Sequence, residues 1–297
     1  MAKIKYKEHR FNRQTAKLLA SLVSVVGEYE NQGYRMTLRQ LYYQLVSRNI
    51  IPNQKNAYAR LGRILKEARL AGIVDWNFIE DRIRISEMPR EYNDLAALVN
   101  AAVESYRLPR WSDQPNYVEV WVEKDALSGV LYDVTEPYHV RLMVDRGFSS
   151  ATAMHDAAKR FRRAMVNGKT CHLLYFGDHD PSGENMAADV KNRLELFGCP
   201  VCVSWLAITK EQVERHQLPS NTIKRSDSRS KKYELAHGSQ SWELDALPPN
   251  VLVDLLKARL DQLLDRGKYE AVMEQEESDK KRLLEIARSN RRDSESD

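Results

Sequence analysis

The fold of this chain is decided by residues 171–181, which read Cys-His-Leu-Leu-Tyr-Phe-Gly-Asp-His-Asp-Pro. The first six residues are mostly apolar or aromatic and predict a β-strand. Asp180 followed by Pro181 is typical of a helix start, because Asp caps a first turn and Pro fits its first position. The stretch therefore predicts a strand that passes through a short turn into a helix.

The same strand-and-helix unit recurs along residues 117–208. Runs rich in Val and aromatic residues predict strands, and apolar side chains at helical spacing predict the helices between them. The predicted strands are 117–122, 139–144, 171–176 and 201–208, and the predicted helices are 125–135, 150–166 and 181–197. This alternation indicates an α/β fold with a mainly parallel, Rossmann-like sheet. Two helices, 249–266 and 268–289, are predicted to complete it.

The N-terminal region has a different order of elements. Three helices, at 13–31, at 38–48 and from a cap at Asn53 to Ala71, precede two short predicted strands, 73–79 and 82–85. That order is typical of a winged helix-turn-helix, in which a recognition helix contacts DNA. The predicted DNA-binding side chains on the third helix are Lys55, Arg60, Arg63 and Lys66. An ordinary solvated basic helix is the alternative.

Charge and turn residues divide the chain. A Pro-containing turn at 108–115 predicts a boundary between a helical and winged-helix domain, 1–110, and an α/β domain, 111–297. The first holds 19 basic against 11 acidic side chains and the second 27 against 31. Such a pairing suits a nucleic-acid enzyme, although two ordinary solvated surfaces explain it equally well. The polar segment 218–240 predicts a mobile basic loop.

Composition narrows the class of protein. No apolar run reaches the roughly 18 residues that are needed to span a bilayer, so no membrane partner is expected. Three cysteines, an odd number, argue against a disulfide framework and predict a reducing, cytoplasmic location.

Three carboxylates follow two of the predicted strands. Glu123 comes directly after the first strand, and Asp178 and Asp180 come after the third. Ligands of α/β sheets collect at the carboxyl ends of strands, so these acids are expected to converge. Mg²⁺ binds through a few carboxylates and would polarise a phosphodiester there. The structural alternative makes Asp180 a helix cap and Asp178 a turn residue.

Two neighbouring tyrosines lie in the second predicted helix. Tyr42 shares an apolar stripe with Leu38 and Leu45 and is predicted to be core. Tyr43 leaves that stripe and shares a face with Arg39, four residues before it. A guanidinium beside a phenol favours the phenolate, which is the form that an oxygen nucleophile needs. A surface tyrosine beside an arginine is the more ordinary interpretation of this spacing.

Several motifs resemble those of TOPRIM domains, in particular in the topoisomerase VI A subunit and the related meiotic double-strand-break transesterase. They are Val-Glu-Lys-Asp-Ala-Leu at 122–127, Arg-Gly-Phe at 146–148, Phe-Gly-Asp-His-Asp-Pro-Ser-Gly-Glu at 176–184 and Glu-Leu-Asp-Ala-Leu-Pro at 243–248. Arg-Gln-Leu-Tyr-Tyr at 39–43 resembles the family's Arg-Asp-Ile-Tyr/Phe-Tyr, with Gln40 in place of the acid. Ser149 stands where the family commonly has Pro. The resemblance covers roughly residues 35–265.

The resemblance implies a metal-dependent DNA transesterase. In such an enzyme Glu123, Asp178 and Asp180 would hold Mg²⁺, and the implied catalytic residues are Tyr43, Arg39 and Glu123. Cutting both strands of double-stranded DNA needs two nucleophiles, so a homodimer is implied, with Tyr43 of one protomer meeting the metals of the other. The sequence shows no nucleotide-binding motif, so ATP-driven strand passage would need a separate ATPase subunit.

Two other hypotheses stay open. One is a metal-dependent TOPRIM endonuclease that activates water and leaves Tyr43 structural. The other is a non-catalytic DNA-binding protein that keeps the fold. Metal removal separates the enzymes from the binding protein, and a covalent protein–DNA adduct separates the two enzymes from each other.

Overall fold

The computed structural model describes residue 3 and residues 5–79, 89–145, 149–223 and 230–294. The three helices predicted at the N-terminus are confirmed. They are α1 (Arg13–Asn31), α2 (Leu38–Ser47) and α3 (Lys55–Leu70). α2 begins with a capping box, in which the side chains of Thr37 and Gln40 each accept from the other's backbone N–H. Gln40 therefore has a structural role where the family motif has an acid.

A turn, and not a strand, follows α3. The side chain of Asp75 accepts a hydrogen bond from the backbone N of Asn77 at 2.8 Å. Such local bonds favour a turn over extended pairing, so the predicted strand at 73–79 is wrong. The second predicted strand of the wing, 82–85, lies outside the described residues. The winged helix is therefore not confirmed.

A four-stranded sheet lies at the centre of the rest of the chain. Its strands are β1 (Asn116–Val122), β2 (Arg141–Val144), β3 (Thr170–Phe176) and β4 (Cys202–Ala207). All four are parallel, and their order across the sheet is β2-β1-β3-β4. The predicted α/β class and parallel sheet are confirmed, and each strand lies within two residues of its predicted ends.

Helices connect and follow these strands. Those described after α3 are α4 (Leu95–Ser105), α5 (Ser128–Tyr138), α6 (Ala151–Val166), α7 (Pro181–Leu196), α8 (Lys210–His216), α9 (Ser230–His237), α10 (Pro249–Leu263) and α11 (Arg266–Ser294). Of the helices in the described part of the chain, none is long and apolar enough to cross a membrane.

The strand order places a topological switch point between β1 and β3. From β1 the chain crosses to β2 on one side, and it later returns to β3 on the other side. Val122 and Phe176, the last residues of β1 and β3, are paired. The residues that follow these two strands therefore emerge side by side. α/β proteins bind their ligands in the crevice at such a point.

Both faces of the sheet are covered, and alternate residues of β1 point to opposite cores. Val120 and Val122 belong to a core that includes α5 and α10. Trp121 belongs to the core on the other face, which includes α6 and α7. A third core unites α1, α2 and α3. The sheet is thereby held rigidly, which fixes the positions of the strand ends.

The segment 218–240 is more ordered than the predicted mobile loop. It contains α9 and a short antiparallel ribbon of β5 (Asn221–Thr222) with β6 (Gln240–Ser241). Tyr233 anchors α9 because its side chain is buried. The prediction is therefore wrong for these residues, while 224–229 lie outside the described part of the chain.

The segment before β1 contacts the last helix. α4 packs against α11, and Arg110 donates to Glu276 of α11 at 3.3 Å. Tyr106 likewise donates to Asp279 of the same helix at 2.9 Å. The division into domains 1–110 and 111–297 stays a prediction.

A buried ion pair joins the sheet to α6 and leads to a prediction on stability. Glu119 of β1 is fully buried and accepts two hydrogen bonds from Arg160, at 2.6 and 2.9 Å. Arg160→Met leaves this carboxylate buried without its main partner, and we expect the free energy of unfolding to fall by about 3 kcal/mol in urea denaturation. Arg163→Met, at an exposed site on the same helix, is expected to change it by less than about 0.5 kcal/mol. Equal effects would contradict this account.

Candidate metal centre

Glu123 lies at the switch point. Its backbone N donates to the Phe176 carbonyl at 2.9 Å, and its Oε2 accepts from the backbone N of Asp178 at 3.0 Å. Gly177 permits this contact, because a Cβ there would lie 3.3 Å from Glu123 Oε2 and 2.7 Å from the ring of Tyr175. The ends of β1 and β3 are therefore joined directly through a candidate ligand.

Asp178 is buried beneath the turn that precedes α7. Its Oδ1 accepts from the backbone N of Leu244 at 2.8 Å, and its Oδ2 forms an ion pair with Lys124. Gly183 in the first turn of α7 packs so closely that a Cβ would lie 2.1 Å from the Asp178 carbonyl oxygen. The backbone around Asp178 is thus held on both sides, and its carboxylate has a fixed position.

Asp180 caps α7, as the structural interpretation of the sequence predicts. Its Oδ1 accepts from the backbone N of Gly183 at 2.7 Å, and Pro181 occupies the start of the helix. Capping engages a carboxylate without neutralising it, so the cap and a metal-binding role are compatible. Asp180 is close enough to Glu123 for its charge to raise the pKa of that carboxyl. The structure therefore brings Glu123, Asp178 and Asp180 together.

Two further acids and a lysine complete the cluster, and no role was predicted for them. Lys124 Nζ lies 2.9 Å from Glu243 Oε2, and Arg39 donates to Glu243 at 2.7 Å. Arg39 also donates to the fully buried Asp245 at 2.7 Å. Glu243 and Asp245 stand two residues apart in a motif that the family resemblance singled out. That spacing, which matches the one between Asp178 and Asp180, is the signal that could have found them.

Negative charge predominates in this cluster, which we call the acidic cluster. Its carboxylates are Glu123, Asp178, Asp180, Glu243 and Asp245, and the cations bonded to it are Lys124 and Arg39. Burial raises the pKa of four of these carboxyls, and neighbouring carboxylates add to the rise. Burial also acts to raise the pKa of Glu243, but Lys124 and Arg39 outweigh it and the pKa is lowered. The excess negative charge favours a bound cation.

The donor set fits Mg²⁺. The acids offer carboxylate oxygens, which hard cations prefer, from two strand ends and one loop. Asp245 Oδ1 is buried and has no hydrogen-bond partner among the described residues. An uncompensated buried carboxylate oxygen is costly unless it gains a ligand. Glu123, Asp178 and Asp180 stay the candidate ligands at the switch point, and an ion there would compete with Lys124 for Asp178 Oδ2.

Tyr43 lies in a more buried position than its place outside the apolar stripe predicts. It is only 8% exposed, and the Arg39 guanidinium carbon lies 5.3 Å from its ring centre. The shared face of these two residues is confirmed. The expected phenolate is not: burial raises the pKa of Tyr43 and Glu243 adds to this, which outweighs the opposite effect of Arg39. The tyrosine is therefore a neutral phenol at neutral pH and needs a base to act as a nucleophile.

Tyr42 is a core residue, as predicted. It is 4% exposed, and its hydroxyl donates to the side chain of Asn53 at 3.0 Å. The side chain of Asn53 therefore binds Tyr42 and does not cap α3. Gln54 occupies the cap position, so the predicted cap is wrong. The Tyr42 hydroxyl is engaged in this hydrogen bond and is therefore not free to act as a nucleophile.

The helix that carries Tyr43 packs against the acidic loop of its own chain. Arg39 reaches Glu243 and Asp245, and Gln44 Nε2 lies 3.5 Å from the carbonyl oxygens of Ala246 and Leu247. The family resemblance implies that the nucleophile serves the metal site of a partner. Here α2 lies beside the acidic cluster within one chain.

Asp145 is a buried carboxylate that was missed at the end of β2. It is 3% exposed, and its backbone N donates to the Val122 carbonyl at 2.8 Å. Ser149 donates to its Oδ1, whereas Oδ2 has no partner among the described residues. The strand-end rule that selected Glu123 applies equally to Asp145. The turn 146–148, which resembles a family motif, lies outside the described residues.

The predicted DNA-binding side chains are exposed on α3. They are Lys55, Arg60, Arg63 and Lys66. Arg60 and Arg63 also line a shallow groove with Arg10 and His9 of the N-terminal segment. The groove adds the guanidinium of Arg10 to this face, which we call the basic face, and it is also lined by Glu67.

Comparison of the sequence with known proteins identified no relative. No protein-family model matches the sequence, and a search of curated proteins gives no significant match.

Proposed function

We propose that this protein is a Mg²⁺-dependent enzyme that cuts double-stranded DNA. The observation that carries the proposal is the acidic cluster at the switch point between β1 and β3. Its carboxylates outnumber the two cations bonded to it. Phosphodiester cleavage builds negative charge on phosphate oxygens, which a metal held by such acids stabilises.

Tyr43 is our first candidate for the nucleophile. Its oxygen would attack phosphorus and form a phosphotyrosyl bond at the 5′ end, as the bond between phosphorus and the 3′ oxygen breaks. The phenol proton needs an acceptor, and Glu243 is the charged group that acts most strongly on this phenol. The departing 3′ oxygen must gain a proton, and Glu123 at the switch point is the proposed donor, with Asp178 and Asp180 holding the ion while Glu123 is protonated.

Arg39 is proposed as the positioning partner of Tyr43. Its two ion pairs with Glu243 and Asp245 hold the guanidinium over the tyrosine ring. These pairs also tie the nucleophile's helix to the acidic cluster. A phosphate that enters the site would compete for Arg39 with these carboxylates.

Water is the second candidate nucleophile, and the burial of Tyr43 favours it. A neutral, buried phenol reacts only if DNA binding brings it to the phosphate, whereas water reaches a metal centre freely. In that case the protein is a TOPRIM-type endonuclease. A non-catalytic DNA-binding protein would keep the basic face and make no use of the acidic cluster. The homodimer, the separate ATPase subunit and the cytoplasmic location stay predictions.

DNA binding should depend steeply on salt through the basic face. Replacing Lys55, Arg60, Arg63 and Lys66 with Gln removes four exposed cations. We expect the slope of log K against log salt to become shallower by about 3 to 4, at roughly 0.9 per lost phosphate contact. The slope comes from binding of a labelled duplex in a salt series.

A matched control removes charge elsewhere. Lys159, Arg163, Lys191 and Lys281 are exposed on other helices, and their replacement with Gln should change the slope much less. Equal slopes for the two fourfold variants would mean that the basic face does not contact DNA.

Cleavage of supercoiled plasmid tests the proposed function itself. With Mg²⁺ we expect nicked and linear products, and with EDTA we expect none. Binding without any cleavage under both conditions would favour the non-catalytic alternative.

A further inference from the structure

A second group of potential metal ligands lies behind the acidic cluster. Asp178, His179 and Asp180 are consecutive, and the backbone of His179 is paired with Trp242 through two hydrogen bonds of 2.9 Å. In an extended segment neighbouring side chains point in opposite directions. His179 is therefore directed away from the side of the loop that Asp178 and Asp180 occupy, and it is only 6% exposed.

Two other side chains meet His179 there. Glu184 lies in the first turn of α7, and His237 lies in the last turn of α9. His237 Nε2 is 2.7 Å from Glu184 Oε1, and the two histidine rings are 4.8 Å apart between centres. One ligand atom from each of the three residues lies within 4.8 Å of the others. Small side-chain rotations would bring all three atoms to one ion.

The hydrogen bonds of Tyr233 bear on the tautomer and the orientation of the His179 imidazole. The Tyr233 hydroxyl lies 2.8 Å from the His179 carbonyl oxygen, to which it can donate, and 2.6 Å from His179 Nδ1. When its single proton goes to the carbonyl, the hydroxyl oxygen accepts from Nδ1–H, and the lone pair of the ring is on Nε2. This is the tautomer that a metal bound at Nε2 requires. Metal-binding histidines are oriented in this way, by a bond to the nitrogen that does not hold the metal.

We propose that His179, Glu184 and His237 form a binding site for a zinc-class divalent transition metal ion. Two imidazoles and one carboxylate suit such an ion, whereas Mg²⁺ prefers oxygen ligands alone. Three protein ligands leave a fourth position for water. The ion would displace the proton shared by His237 and Glu184 to solvent.

The ion would have a structural consequence for the acidic cluster. His179 lies between two of the proposed Mg²⁺ ligands, Glu184 belongs to α7 and His237 to α9. A metal held by all three would tie both helices to the loop that positions Asp178 and Asp180. The proposal does not depend on DNA cleavage, because binding of the ion is measured by itself.

Equilibrium dialysis of the full chain against Zn²⁺ tests the site, with excess Mg²⁺ present to occupy the acidic cluster. We expect one Zn²⁺ per chain for the wild type. His237→Gln and Glu184→Gln should each lose it. The controls His155→Gln and Glu195→Gln change the same residue types at exposed positions of α6 and α7, and they should keep it.

Tyr233→Phe tests the orienting bond. The ring and its packing remain, but the hydroxyl that fixes His179 is lost, so we expect Zn²⁺ affinity to fall by about 10- to 100-fold. Zn²⁺ should raise the Tm of the wild type and of both controls, but not that of His237→Gln or Glu184→Gln. Glu184 is 42% exposed at its side chain, so its replacement should not prevent folding.

Two results would overturn the proposal. One is a wild-type protein that binds no Zn²⁺ and gains no thermal stability from it. The other is Zn²⁺ binding by Glu184→Gln and His237→Gln that equals that of the wild type. Asp180→Asn, which changes the acidic cluster only, should bind Zn²⁺ normally; its loss of binding would place the zinc in the acidic cluster and equally overturn the proposal.

Discussion

Asp180→Asn protein is expected to fold and to bind DNA like the wild type, yet to cut DNA about 10²- to 10³-fold more slowly. Asn is as good a helix cap as Asp, so the hydrogen bond from Gly183 to the side chain is retained. The negative charge is lost, and with it one proposed Mg²⁺ ligand. The magnitude is that of removing a single group that stabilises transition-state charge. Plasmid cleavage and duplex binding, measured on the same preparation, give both quantities.

The control for this variant is the same change at another cap. Asp94 caps α4, where its side chain accepts from the backbone N of Ala97 at 2.7 Å, and Asp94→Asn should leave cleavage unchanged. Asp180→Ala, in contrast, should lose both cleavage and about 1 kcal/mol of stability. If Asp180→Asn cleaved DNA at the wild-type rate, Asp180 would be a helix cap only and not a metal ligand.

Tyr43→Phe is expected to eliminate covalent capture of DNA completely. Phe keeps the ring beneath Arg39 and the packing in the N-terminal core, so the change removes only the nucleophilic oxygen. Strand breaks trapped with detergent in the presence of Mg²⁺ would be protein-linked for the wild type. They would be absent for the variant.

Tyr42→Phe is the matched control, since it removes a hydroxyl one residue away. Its loss of the bond to Asn53 should cost about 1 kcal/mol of stability, with capture retained. If Tyr43→Phe cuts as well as the wild type, water is the nucleophile and Tyr43 is structural. Loss of capture in Tyr42→Phe alone would assign the nucleophile to Tyr42.

The sequence predicts the sheet well because its signals are local. The run at 171–176 and the Asp180-Pro181 cap specify a strand and a helix start without help from distant residues. Strand order is different, because it depends on which side of β1 each crossover packs, and no residue pattern reports that. The switch point between β1 and β3 therefore became visible only in the structure.

The wing was predicted from apolar and β-branched residues at 73–79, but these residues form a turn in which Val74, Phe78 and Ile79 are buried and Trp76 is exposed. Val74 and Phe78 belong to the N-terminal core, and the bond from Asn77 to Asp75 stabilises the turn. Burial and strand pairing give the same apolar signal over so short a segment. The sequence pattern therefore could not distinguish between them.

For the candidate site, the strand-end rule predicted that Glu123, Asp178 and Asp180 lie at neighbouring strand ends, as they do in the structure, while their role as metal ligands stays a prediction. Glu243 and Asp245 were missed because they come from a loop, where no periodicity shows which way a side chain points. The burial of Tyr43 was missed for the same reason, because it depends on that loop. Its face of α2 is covered by the loop that carries Glu243, and a helical stripe reports only one of two buried faces.

The central claim is tested most directly by incubating the full chain with supercoiled DNA and Mg²⁺, followed by detergent and then protease. The account predicts DNA breaks that require Mg²⁺ and that carry protein on their 5′ ends until the protease acts. Mg²⁺-dependent breaks without attached protein would support the metal centre but show that water, and not Tyr43, is the nucleophile. Folded protein that binds DNA but produces no breaks with Mg²⁺ would contradict the account.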